Sequence, residues 1–192
     1  MKYQTVIIFA VMIVAYSLIS PNFFTTVNLK NIFSQNACLI VVCMAQLIAQ
    51  IIGGVDLSVS AVVAFSGITT AICMTERGMG FYAAAAVAAG LSTVIGMING
   101  FLVASCNFAP FIATLATTQI AKGAAYVISN ARIIYVNETT FNFIGGGTIA
   151  KIPAVVVIAF VFAIVMSIIL TKTIVGRKIM AIGGNEETAR LA

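Results

Sequence analysis

The 192-residue sequence contains no histidine, no tryptophan, only 3 prolines, and so few charged side chains that Asp, Glu, Lys and Arg together make up 8% of it. Without histidine there is no Ser-His catalysis, no zincin motif and little basis for a metal site, so no catalytic or metal-ligating residue is assigned and no cofactor is expected. No GxxxxGK[ST] motif is present. Gly145, Gly146 and Gly147 lead into Thr148-Ile149-Ala150-Lys151, which lacks the phosphate-loop spacing. Soluble domains carry roughly 25% charged residues, and a soluble fold could not hide the 61% of hydrophobic residues found here. The formal net charge of +5 comes from ten scattered Lys and Arg, not from a basic patch interleaved with aromatics, which argues against nucleic acid as a partner. The four cysteines, Cys38, Cys43, Cys73 and Cys106, lie in or beside apolar runs without a CxxC pair and read as small packing residues.

What the chain has in abundance is long apolar runs. Crossing a bilayer takes about 20 apolar residues in a helix, and the sequence predicts an all-α, polytopic transmembrane bundle. About six spans are expected, near residues 4–19, 36–52, 59–75, 81–105, 111–129 and 153–170. The first run resembles a secretory signal peptide in outline, but its length and the apolar segments that follow favour an uncleaved span. Residues 130–152 form the longest hydrophilic connection, read as extracytoplasmic, and residues 171–192 form a charged tail. Placing both termini in the cytoplasm puts Lys2, Lys172, Arg177, Lys178 and Arg190 inside, against Lys30, Arg77, Arg132 and Lys151 outside. Membrane lipid is then the solvent of a single permease-like domain.

Polar residues within apolar sequence are the candidate functional groups, because hydrocarbon makes them costly. Between the second and third runs lies only Gly53-Gly54-Val55-Asp56-Leu57-Ser58, which predicts a helix break at Gly53 and Gly54 near membrane depth. Asp56 reads as a cap of the third helix, accepting from amides near Ser58 and Val59, or as a solute contact. In the fifth run Thr114, Thr117, Thr118 and Lys122 share a helical face, with Ala113, Ala116, Ile120 and Val127 opposite, so this wall should meet protein or water. Lys122 either snorkels or has a buried structural partner. Asn99 stands inside Gly96-Met97-Ile98-Asn99-Gly100, a GxxxG spacing expected to pack helices within one subunit. In the tail, Gly183 and Gly184 read as a turn, Asn185 as an N-cap, and Glu186 and Glu187 as the acids of a first helical turn that leads to Arg190.

Several segments together resemble the ribose-type sugar permeases of bacterial ATP-binding-cassette importers. They are Ser20-Pro21-Asn22-Phe23-Phe24, Gly53-Gly54-Val55-Asp56-Leu57-Ser58-Val59-Ser60, Asn99-Gly100, Pro110-Phe111-Ile112-Ala113-Thr114-Leu115, and Gly176-Arg177 followed by Ala181-Ile182-Gly183-Gly184-Asn185-Glu186. The resemblance implies a permease subunit in the bacterial inner membrane that is not itself an enzyme. It would pair with a second permease subunit, receive a small sugar from an extracytoplasmic solute-binding protein, and be driven by two cytoplasmic ATPase subunits. It also implies that Gly183 to Leu191 include a short cytoplasmic helix that fits the ATPase, and that the chain matches an N-terminal part of a longer permease. Two rival readings are a homo-oligomeric channel or secondary carrier and a membrane scaffold. The single clear helix break weighs against a carrier, and the polar stripe of the fifth run weighs against a scaffold.

Overall fold

The computed structural model describes residues 4–185 and 189. Six long helices follow the expected runs: α1 (Gln4–Ile19), α2 (Thr26–Ile51), α3 (Val59–Thr75), α4 (Phe81–Ala104), α5 (Pro110–Ser129) and α7 (Ala154–Lys172). Four of them, α2, α4, α5 and α7, are long and apolar enough to cross a membrane by length and composition; α1 and α3 are shorter, at 16 and 17 residues. The count of six spans is therefore matched by six helices but by only four of spanning length.

The second helix starts at Thr26, well before the expected Asn36. Thr25 is in extended conformation, and its hydroxyl accepts from the Asn28 amide at 3.3 Å, the geometry of an N-cap. Lys30 and the asparagines taken for a loop thus occupy the first turns of α2. The connection 130–152 is also more ordered than its composition suggests. It contains a short helix α6 (Thr139–Gly146) and a hairpin of β1 (Thr148–Ile149) and β2 (Ile152–Pro153), antiparallel with Ile149 opposite Ile152. Ala150 and Lys151 turn the hairpin with φ of 48° and 68°, a conformation more usual for Asn-Gly.

The helices sort into two packing groups. In one, α3 lies against both α4 and α5; in the other, α2 packs on α7, which in turn meets α6 and a final helix α8 (Ile174–Gly184). Apart from Met74, the buried apolar side chains in the first group are all alanine: Ala61 and Ala71 on α3, Ala84 and Ala88 on α4, Ala113, Ala121 and Ala125 on α5. Lipid is as apolar as leucine, so helices in it gain little from covering apolar surface; they gain from close backbone approach, which small residues permit. No residue of α1 is buried, and Tyr16 stacks on Phe23 at 6.1 Å just beyond its end. Three of the cysteines, Cys38, Cys43 and Cys106, are exposed, so the reading of all four as packing residues holds at most for half-buried Cys73.

Candidate functional site

The break after α2 explains the first of its two glycines. Gly53 adopts φ +79°, open to glycine at little cost, while a Cβ on Gly54 would lie 3.4 Å from the Ala49 carbonyl and 3.6 Å from Pro110 Cβ. Gly53 thus reverses the chain, while at Gly54 a side chain would meet only ordinary contacts with the end of α2 and the start of α5. Gly54 lies beside Pro110, the first residue of α5, so the break sits level with the start of that helix. Residues 55–58 then reach about one turn into the bundle, where Thr114 meets them.

Four polar side chains from three segments join there. The Ser58 amide donates to Asp56 Oδ1 at 2.8 Å, and the Ser58 hydroxyl donates to the same oxygen at 2.6 Å. Having spent its proton, that hydroxyl accepts from Asn99 Nδ2 at 3.0 Å. Thr114 Oγ1 accepts from the Leu57 amide at 3.1 Å and lies 2.8 Å from the Pro110 carbonyl and 3.2 Å from that of Val55. Asp56 thus fills the capping role expected of it, through Ser58 and not Val59, and its negative charge sits at the favourable N-terminal end of α3. Ser58, 3% exposed, is the member that reading the residues one by one passed over. Its position two residues after an aspartate, an Asx turn, was the available signal.

Three of these groups, Asp56, Asn99 and Thr114, border a cavity of about 640 Å³, within the range of small-ligand pockets. Gly53, Gly54, Asp56, Asn99 and Thr114 line it, so five of the sequence-predicted residues are brought together. Gly96 and Gly100 line it too, and a Cβ on either would meet nothing within 4 Å. Among the described residues no helix packs on this GxxxG; its open face borders the cavity.

Lys122 and Thr118 do not join them. On α5 the buried positions are Ala113, Thr114, Thr117, Thr118, Ala121, Ala125 and Ser129. Ala113, at 2% exposure, belongs with the threonines and not opposite them, whereas Lys122 is exposed beyond the edge of the face. The wall meets protein, because α3 packs on it. Its hydroxyls are satisfied inside the helix: Thr118 donates to the Thr114 carbonyl at 2.7 Å and Thr117 lies 3.2 Å from that of Ala113. Only Thr114 reaches beyond its own helix.

The tail differs from its sequence reading. Gly183 and Gly184 continue α8 and do not form a turn, and Asn185 ends that helix, its amide donating to the Ala181 carbonyl at 3.1 Å. The Asn185 carbonyl also accepts from the Ala189 amide at 3.0 Å, a helical link of the kind expected to start there. Glu186, Glu187 and Arg190 lie outside the described residues. The glycine at 183 is needed for contact: a Cβ there would run into the Ile51 carbonyl at the end of α2. This seats α8 on the residue two before the Gly53 break. Across the described residues, no cluster of three or more His, Cys, Asp or Glu that would suit a metal ion occurs.

A mainly helical, multi-pass membrane protein with a cavity bordered by a few polar groups is the class these features define. Residues 28–192 match the family described as branched-chain amino acid transport system / permease component, and the chain belongs to that family. It is 34% identical over its whole length to the L-arabinose transport system permease protein AraH of Escherichia coli (strain K12), covering 58% of that protein. With the D-allose transport system permease protein AlsC of the same strain it shares 35% identity over 98% of its length, again 58% of the relative. The ribose import permease protein RbsC of that strain is 32% identical over the full chain and 61% of the relative. The chain thus spans about three fifths of the length of these curated relatives. No solved structure matches it.

Proposed function

We propose that the chain is part of a membrane-spanning permease subunit of an ATP-binding-cassette importer that carries a small, ribose-like monosaccharide across the bacterial inner membrane. Its relatives are named for arabinose, allose and ribose, all small neutral polyols, and the cavity beside Asp56, Asn99 and Thr114 is of a size to pass one. Two cytoplasmic ATPase subunits, a second permease subunit and an extracytoplasmic binding protein complete the machine. Both termini are cytoplasmic in this reading, and the segment around Gly183, Gly184, Asn185, Glu186, Glu187 and Arg190 meets the ATPase.

The observation that carries the proposal is the seating of Gly183 on the Ile51 carbonyl. A push on the tail has a direct route to the Gly53-Gly54 break, and the break carries Asp56 into the cavity wall. Nucleotide-driven closure of the ATPases would bias this joint between two states. Cysteine at Ala189, in a background lacking the four native cysteines, is expected to crosslink to the ATPase in the assembled transporter. A folded, assembled complex with no such crosslink would sink the docking role. A channel or secondary carrier, by contrast, would take up solute with no ATPase present.

A further inference from the structure

We infer that Asn99 contacts the solute: its Oδ1 accepts a hydrogen bond from one hydroxyl of a neutral polyol lodged in the cavity. The inference rests on the permease reading and adds to it a residue and an atom. The amide's orientation is settled by its neighbours. Asp56 takes the Ser58 proton at 2.6 Å, so Ser58 offers a lone pair, and only the Nδ2 side of Asn99 can approach it at 3.0 Å. Oδ1 is thereby turned the other way, and it is a buried atom with no partner, on a residue only 7% exposed that lines the cavity. Buried polar atoms without partners are uncommon enough to call for an explanation. The explanation here is a site that is complete only when a donor arrives.

The donor's chemistry follows from the rest of the wall. Asp56 adds a carboxylate, and among the described residues no Lys or Arg lines the cavity, so an anionic solute finds no counter-charge from them. A neutral molecule rich in hydroxyl donors fits. Gly96 and Gly100 flank Asn99 on α4 with open space where side chains would stand, which leaves room for a ring beside the amide. The Asp56–Ser58–Asn99 chain holds that amide in place, so Ser58 is a positioning residue and Asn99 the contact.

The complete importer, reconstituted in proteoliposomes with its ATPase and binding protein, provides the test. Radiolabelled L-arabinose, D-allose and D-ribose are offered first, then the monodeoxy analogues of whichever is carried. For each solute the saturated uptake rate of Asn99→Ala is divided by that of the wild type, so the selectivity of the binding protein cancels. The ratio is expected to fall roughly threefold to tenfold for the parent sugar, the range for one hydrogen bond, and to stay near one for the analogue that lacks the hydroxyl concerned. A ratio equal for all solutes, as a purely structural or water-holding asparagine would give, overturns the inference. Asn99→Leu, which fills similar volume without a polar atom, gives the same comparison should the alanine variant fail to insert. If the wild-type importer carries none of these sugars, the permease reading itself fails and the inference falls with it.

Discussion

The α5 and α7 helices make an instructive pair. The α7 helix is the most apolar of the four spanning-length helices, yet only 17% of its most apolar window is buried, against 33% for α5, the least apolar of them. In water that order would be reversed, because burial there follows hydrophobicity. In lipid it follows size and polarity: alanine and threonine let α5 lie close to α3, while Phe160, Val161 and Ile164 of α7 remain exposed. Where α2 and α7 bury side chains they too use mainly small ones, Ala37, Ala154 and Ala159, with Leu170. The cavity lies where the first group meets the end of α2.

The sharpest way to break this comparison is to change side-chain volume on each side of it. Ala84 of α4, the helix that packs on α3, is 0% exposed, and Phe160 of α7 is 68% exposed. Ala84→Leu is expected to cost about 1–3 kcal/mol or more by overpacking, and Phe160→Leu within about 0.5 kcal/mol. Thermal unfolding in one detergent checks both, and similar losses at the two sites would refute the account of burial. A smaller effect is expected at the break. Asp56→Asn keeps an oxygen for the Ser58 amide and hydroxyl and should be mild, whereas Asp56→Ala frees both donors and should cost about 1–2 kcal/mol. Equal, severe loss of uptake in both variants would show that the negative charge is required beyond its capping bonds.

The smallest effect belongs to the connection outside the spans. Glu138 caps α6 by accepting from the Phe141 amide at 2.8 Å, and that bond, set against a weaker opposing effect of burial, holds its carboxyl below the ordinary value of 4.5. A lowered folded-state value means that the ionised cap supports α6 above about pH 4.5, and that this support fades as pH falls through the lowered value. Amide hydrogen exchange in α6 should quicken over that interval, and Glu138→Gln should flatten the dependence.

How much was legible varies by element. The bounds of α1 and α3 follow from apolar runs alone, and the end of α5 follows from Asn130, which adopts φ 49° at its C-cap. The glycine pair and Asp56 announced a break with a cap. The early start of α2 was hidden because Lys30 and several asparagines resemble a loop, although Thr25 offered a cap. The hairpin at Ala150-Lys151 gave no sign, since neither residue favours a left-handed backbone. Gly183 was taken for a turn because its reason for being glycine is the Ile51 carbonyl, which is remote in sequence.

Composition and order of residues alone determined that this chain is a bundle of apolar helices, and that it breaks at the Gly53-Gly54 pair. Helical periodicity is local, and hydrocarbon tolerates few alternatives to it. Only the tertiary structure decided which polar residues meet: that Ser58 links Asp56 to Asn99, that Thr118 and Lys122 stand apart, that Gly96 and Gly100 face open space, and that α8 rests on α2. Those outcomes depend on how helices distant in sequence are set against each other, and where lipid offers no hydrophobic preference between faces, the apolar pattern carries little record of that choice.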